Sequence, residues 1–571
     1  MKNVRKDSNL KRVLTYVFEN CRSDQRSEWV YYAANSSVAV ELCPEGGSVV
    51  RLVEFTDNIL EVGGCYGTFT EKLSDKCNTL VSVEKDEDKR NIILLRKTGA
   101  QITDNIDYSK KYGIIWANFF EEDFSLYGFS SVTDAYKRLT KVLDKGGQMY
   151  FLVDGKKGIE FTEELRTVCA GISVFYPYPQ LKYAQFLFSE DRLPYKSELC
   201  FHKYLCKGKP TEVRENRDFA DVFILKIEPN KGEVLSGNRI IYSKMSASRR
   251  PQYQIYTDII KNDNDDLFVV KSSLHNESNK HIEKMLNSYD ELTKLYNKTI
   301  FSPNRAYRIA EGKVGFDFEY GETLYDQIIN DFWGKGKEYI YNFAELLRSK
   351  ALNHFTFSDG FYAMFGDALD ALDSSVIDRF YSSPYTNLDF NFDNVIVRDG
   401  KWIIIDYEFC VDFPIPVDFI IFRSVFYLFR KMPESPEFKQ AKREIYSKLG
   451  LKGYIKYFKR MELGFQKFYT GDGNDEFLLA KTLIMTSNGE RTLPSSLRTL
   501  KKIKPYLESD KGENAKNLVL KIYEYRTLKQ IIGSAIMPAI HRAGDFFEKH
   551  LSPKAFKELA KLYMKLKGLA R

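Results

Sequence analysis

The chain is poor in the residues that build metal and redox centres. Its eight cysteines, at 21, 43, 65, 77, 169, 200, 206 and 410, include no CxxC pair and are too sparse for a disulfide scaffold, so ordinary reduced thiols are expected. Its six histidines are scattered, and the nearest pair, His275 and His281, lacks HxxxH spacing, which argues against a His/Cys metal site. No apolar run approaches the length of a membrane span. Met1 to Leu14 is charged and has no apolar h-region, so no secretory signal is expected. The excess of one sign of charge is also small, with 85 Lys and Arg against 78 Asp and Glu. A net +7 over 571 residues gives no reason to expect a nucleic-acid partner. Aromatic residues, by contrast, make up 15% of the chain and supply ample core material. The length is that of roughly three to four domains.

Taken in order, residues 1–50 read as a cap, with a helix near Asn9–Asn20 and a strand-like run, Val38–Cys43. From Asn58 to Val153 strand and helix text alternate. Strands are expected at Ile59–Val62, Thr79–Val83, Gly113–Ala117 and Gln148–Val153, with helices at Phe69–Ser74 and Asp86–Thr98. That alternation predicts a parallel sheet. Residues 170–235 are aromatic and irregular but include a strand-like run, Ala220–Ile227, and read as a substrate-side extension of the first domain; Glu228–Asn238 has linker chemistry. A second unit opens with a hairpin, Tyr253–Ile259 and Leu267–Lys271, and a long helix at 277–297. A further hairpin, Asn394–Val397 with Trp402–Asp406, turns on Asp399-Gly400. After 430 the text is mainly helical and ends in a basic run, Lys561–Lys567. The expected domains are 1–50, 51–235, 239–430 and 431–571.

Chemistry concentrates in two stretches. In the first, Ile59-Leu60-Glu61-Val62-Gly63-Gly64-Cys65-Tyr66-Gly67, an apolar strand ends in an acid and runs into a glycine turn. A parallel sheet presents a nucleotide-shaped pocket in this way. The glycines do not have GxGxxG spacing. A second acid, Glu84, ends the next strand, and a carboxylate there can accept both hydroxyls of a ribose. Glu61, Gly63, Gly67, Glu84 and the Gly146-Gly147 turn together resemble class I S-adenosylmethionine-dependent methyltransferases, with Cys65 in place of the middle glycine. The resemblance implies a doubly wound Rossmann-like fold over roughly 55–190. It also implies S-adenosylmethionine as cofactor, held by Glu61, Gly63, Gly67 and Glu84. No residue stands out as a general base.

The second stretch places Asp389, Asn394 five residues on, and Asp406 at the end of the following hairpin, all downstream of Lys271 at a strand end. This is the layout of a phosphotransferase: one Asp for the acceptor hydroxyl, an Asn and an Asp for Mg²⁺, and a Lys for phosphate. With Ile405-Asp406-Tyr407-Glu408, it resembles the aminoglycoside and choline phosphotransferase branch of the protein-kinase-like fold, over roughly 240–430. The resemblance implies a bilobal α+β domain, ATP and Mg²⁺. It places a supporting acid at Asp418 and an interlobe hinge at Gly315–Leu324. Asn387 stands where that branch usually has His, and no glycine-rich loop precedes Lys271. Only Ser243–Arg250 could cover phosphates. The helical partner of Lys271 is either Glu283 or Glu291.

The expected fold is thus α/β: a Rossmann-like methyltransferase domain, a kinase-like domain and a helical C-terminal segment. The pairing is similar to bifunctional enzymes that phosphorylate and methylate the terminal sugar of bacterial surface polysaccharides. It implies a glycan or small-molecule acceptor and a cytoplasmic location. The C-terminal helices would contact a glycosyltransferase or the inner membrane face. Two alternatives stand beside this: a methyltransferase whose kinase-like domain only binds, and a polysaccharide-assembly scaffold.

Overall fold

The computed structural model describes residues 2–20, 36–42, 46–194, 219–229, 238–246, 249–432 and 435–471. These fall into two compact units, divided after Ser236. The C-terminal helices expected after 471, with their basic run, lie outside the described residues, as does most of the linker. Among the described residues no helix is long and apolar enough to cross a membrane.

The first unit is a mixed α/β structure. After α1 (Lys2–Asn20) and α2 (Ser36–Leu42), strands and helices alternate: β1 (Thr56–Val62), α3 (Thr68–Ser74), β2 (Cys77–Val83), α4 (Glu87–Leu95), β3 (Gln101–Thr103), β4 (Tyr112–Asn118), α5 (Val132–Thr140), β5 (Leu143–Asp154) and α6 (Gly155–Arg166). The sheet order is β3-β2-β1-β4-β5, all parallel. The last four residues of β1 and β2 are all buried, as strands covered on both faces must be. That double burial is why they read as apolar runs, broken only by Glu61 and Ser82.

The segment 170–235 is more regular than its composition predicts. β6 (Ile172–Gln180) and β7 (Tyr183–Ser189) form a hairpin, and β8 (Val222–Ile227) lies between β6 and β5, so three antiparallel strands extend the sheet. The strand expected at 38–43 is instead the helix α2. Its β-branched residues are overridden by tertiary contacts. Val38, Glu41 and Leu42 are all buried at helical spacing, and Glu41 is ion-paired with Lys182.

The second unit begins with β9 (Arg239–Met245), β10 (Ile255–Lys261) and β11 (Leu267–Ser273), an antiparallel meander that β14 (Lys313–Asp317) and β13 (Ala306–Ala310) continue. Helix α7 (Asn279–Leu295) follows β11. A smaller sheet pairs β12 (Phe301–Pro303), β15 (Glu322–Thr323), β16 (Val395–Arg398) and β17 (Lys401–Ile404). The hairpin joining β16 and β17 turns as expected. Asp399 and Gly400 both have positive φ (50° and 73°), the signature of a tight hairpin turn. Helices α8 (Val417–Lys431), α9 (Pro436–Lys448) and α10 (Ile455–Thr470) share one apolar core with α7 and the small sheet, through Phe422, Ile445 and Phe458. The unit's core therefore continues well past residue 430.

One glycine of the expected Gly146-Gly147 turn is demanded by packing. A Cβ on Gly147 would lie 2.7 Å from the Gly113 carbonyl oxygen and 2.9 Å from Leu143. Gly147→Ala is therefore expected to cost about 1–3 kcal/mol by overpacking between β4 and β5, read as a lower urea midpoint. An unchanged midpoint would show that the two strands can separate freely here.

Candidate functional site

In the first unit the strand order reverses between β1 and β4, which opens a crevice at the carboxyl ends of the strands. The residues expected to hold a cofactor converge there. Glu61 ends β1 fully buried, and its Oε2 accepts hydrogen bonds from Thr70 Oγ1 and Ser82 Oγ, both at 2.6 Å. Its Oε1 has no partner. Burial raises its pKa, and the two hydroxyls oppose that only in part.

Gly63 and Gly67 both adopt φ of +82°, and Cys65 between them has φ of +51°. The turn thus keeps left-handed geometry although the middle residue is not glycine, at a cost on the order of 1 kcal/mol. Glu84 fastens it. Its Oε2 accepts the Cys65 backbone N–H at 2.7 Å and its Oε1 accepts that of Asp86 at 2.9 Å. Burial, with the Glu122 carboxylate nearby, pushes Glu84 up to about 7.

Several residues at this crevice have no counterpart in the sequence reading. Asn118, the last residue of β4, donates to Glu121 at 3.0 Å, and Lys182 pairs with Glu121 at 2.8 Å and with Glu41. Glu122 is buried, pairs with Lys89 at 2.6 Å and accepts from the Tyr127 hydroxyl. Burial alone would raise Glu121, but Lys182 and Asn118 hold it below the usual range. Of these, Asn118 alone carries the signal used for Glu61 and Glu84, a polar residue at the carboxyl end of a buried strand.

The second unit gathers Lys271, Asp389, Asn394 and Asp406, with Glu408 and Arg249 beside them. Lys271 Nζ reaches both Asp406 and Glu408, the latter at 2.5 Å. Asp389 Oδ2 accepts the Phe409 backbone N–H at 2.9 Å, and Asn394 Nδ2 donates to the Asp389 carbonyl at 2.7 Å. Burial, then the charges of Asp406 and Glu408, push Asp389 up to about 7. Asn387 Oδ1 accepts the Asp389 N–H at 2.9 Å, so this Asn orients the loop. Asp418 is committed elsewhere, pairing with Arg348 at 2.7 Å.

Neither helical acid expected beside Lys271 is there. Glu283 pairs with Arg308 and Glu291 with Lys294, both on the outer side of α7. Facing the cluster from that helix is His281, buried, with Nε2 3.9 Å from Glu408. The Asp and Asn oxygens of the cluster suit a hard divalent ion.

No protein-family model matches the chain, and no curated protein matches it. Solved structures do. The chain is similar to the bifunctional kinase-methyltransferase WbdD, at 13% identity and a TM-score of 0.23, over 81% of this chain and 92% of that one. It is also similar to the N-methyltransferase NodS from Bradyrhizobium japonicum WM9, at 14% identity and a TM-score of 0.21, over 32% of this chain and 93% of that one. NodS in complex with S-adenosyl-L-homocysteine matches at a TM-score of 0.19. At these values the likeness alone assigns no residue of this chain a role.

Glu84 and Asp389 each favour the protonated form in the folded chain more than in the unfolded one. Their stabilising contribution is therefore complete at low pH and is lost as pH rises towards about 7. Urea midpoints measured from pH 4.5 to 8 are expected to fall across that window. Glu84→Gln and Asp389→Asn should each flatten the fall, and an unchanged slope in both variants would contradict the assignment.

Proposed function

We propose that the chain is an S-adenosylmethionine-dependent methyltransferase joined to an ATP- and Mg²⁺-dependent phosphotransferase, and that both act on one glycan acceptor. The carrying observation is the pair of buried strand-end acids, Glu61 and Glu84, on either side of a left-handed glycine turn at the switch point of a parallel sheet. This geometry supports the cofactor reading for Glu61, Gly63, Gly67 and Glu84. Bound S-adenosylmethionine supplies an electrophilic methyl group, and transfer then depends mainly on positioning.

The chain's own residues do the holding. Glu84 presents a carboxylate whose second lone pairs remain for ribose hydroxyls. Glu61 keeps one buried oxygen, Oε1, without a partner, and Asn118, Glu121 and Lys182 form a polar group joined to one another nearby.

In the second unit Asp389 would take the proton of an acceptor hydroxyl, and its raised pKa suits that task near neutral pH. Asn394 and Asp406 would hold Mg²⁺, and Lys271 would meet the nucleotide phosphates. A cytoplasmic location, and contact of the residues after 471 with a glycosyltransferase or a membrane surface, belong to the same proposal. A second reading makes the kinase-like unit a binding module. It is favoured by one feature, the direct Lys271–Asp406 ion pair, which occupies a carboxylate that a metal would need.

Calorimetry with S-adenosylmethionine and with Mg·ATP separates these readings. Both ligands bind under the first and only the methyl donor under the second; if neither binds, both readings fall. Glu84→Ala is expected to weaken S-adenosylmethionine binding at least tenfold, since hydrogen bonds to a charged group contribute about 1.5–3 kcal/mol. Asp389→Ala should lower phosphate transfer to a glycan acceptor by roughly 10²–10⁴-fold. Unchanged transfer would remove Asp389 from the chemistry.

A further inference from the structure

A buried ammonium is tolerated only where carboxylates or other acceptors meet it. Lys271 is 5% exposed on the central strand β11. The helix that packs beside it brings no acid. The buried positions of α7 are His281, Ile282, Met285, Ser288 and Leu292, and its glutamates Glu283 and Glu291 pair with other cations. The acid comes instead from the loop that follows β17. Glu408 is 5% exposed, its Oε1 lies 2.5 Å from Lys271 Nζ, and its Oε2 lies 2.5 Å from Arg249 Nη1. One carboxylate thus spaces two cations. Arg249 also stacks over Phe409 and Tyr469, which fixes the guanidinium plane.

The two partners of Lys271 differ in kind. Asp406 is 44% exposed and sits in the left-handed region, with φ of +56°, whereas Glu408 is sealed. An incoming divalent ion can exchange with Lys271 for Asp406 without disturbing the Glu408 contact.

We propose that Glu408 is the positioning residue for Lys271, in the place of a helix-borne acid, and that it holds Lys271 and Arg249 as a paired cradle for the phosphate oxygens of a nucleotide. This rests on the phosphotransferase reading of the second unit. Three full-length variants test it: Glu408→Gln, Glu408→Asp, and Glu408→Gln combined with His281→Glu, which moves the carboxylate onto α7.

The first readout needs no nucleotide: the rate at which an N-hydroxysuccinimide ester acylates Lys271 at fixed pH, followed by mass spectrometry. Glu408→Gln is expected to speed it roughly fivefold or more by freeing the amine, Glu408→Asp to give an intermediate rate, and the double variant to slow it again. The second readout is Mg·ATP affinity, expected to weaken about tenfold in Glu408→Gln and to recover in the double variant. Labelling that is unchanged in Glu408→Gln and Glu408→Asp overturns the proposal. So does faster labelling that the transplanted carboxylate does not reverse, since that is general loosening. If the wild-type chain does not bind Mg·ATP, the phosphotransferase reading fails, while the labelling still decides what holds Lys271.

Discussion

Carboxylates kept out of water at the ends of strands are the constraint from which both units are built. A buried carboxylate is costly unless it is protonated, accepts hydrogen bonds or meets a cation. Each unit uses all three solutions. Glu61 takes two hydroxyls, Glu84 takes two backbone N–H groups and carries a raised pKa, and Glu122 takes Lys89. In the second unit Asp389 takes a backbone N–H and carries a raised pKa, and Glu408 takes Lys271 and Arg249. The left-handed turn after β1 and the short loop after β17 exist to bring donors to these acids.

The same constraint separates what the sequence could reveal from what it could not. The parallel strands were legible because burial on both faces makes their text largely apolar, as in Ile114-Ile115-Trp116-Ala117 and Tyr150-Phe151-Leu152-Val153. The Asp399-Gly400 turn was legible because few residue pairs tolerate two successive positive φ values. The helix α2 was not, since the period that decides it is set by Glu41 meeting Lys182, 141 residues away. The strand β6 was obscured by Pro177 and Pro179 within aromatic text.

Among site residues, Glu61, Glu84, Asp389, Asn394, Asp406 and Lys271 stand out by spacing alone, and the fold brings the members of each set together. The partner of Lys271 did not stand out. Pattern reasoning looks for it on the next helix, whereas the acid that arrives is 137 residues downstream. Lys182, Glu121 and Glu122 were missed for a related reason. The Lys182–Glu121 pair depends on a hairpin, β6–β7, whose return to the crevice no local signal announces, and Glu122 takes its cation, Lys89, from α4.

The raised pKa of Asp389 leaves a share of its carboxyl protonated near neutral pH. A divalent metal taken up beside it by Asn394 and Asp406, without nucleotide, would bring positive charge, and positive charge lowers the pKa of a neighbouring carboxyl. Metal capture would then release a proton into solution, and the heat of binding would vary with the ionisation enthalpy of the buffer.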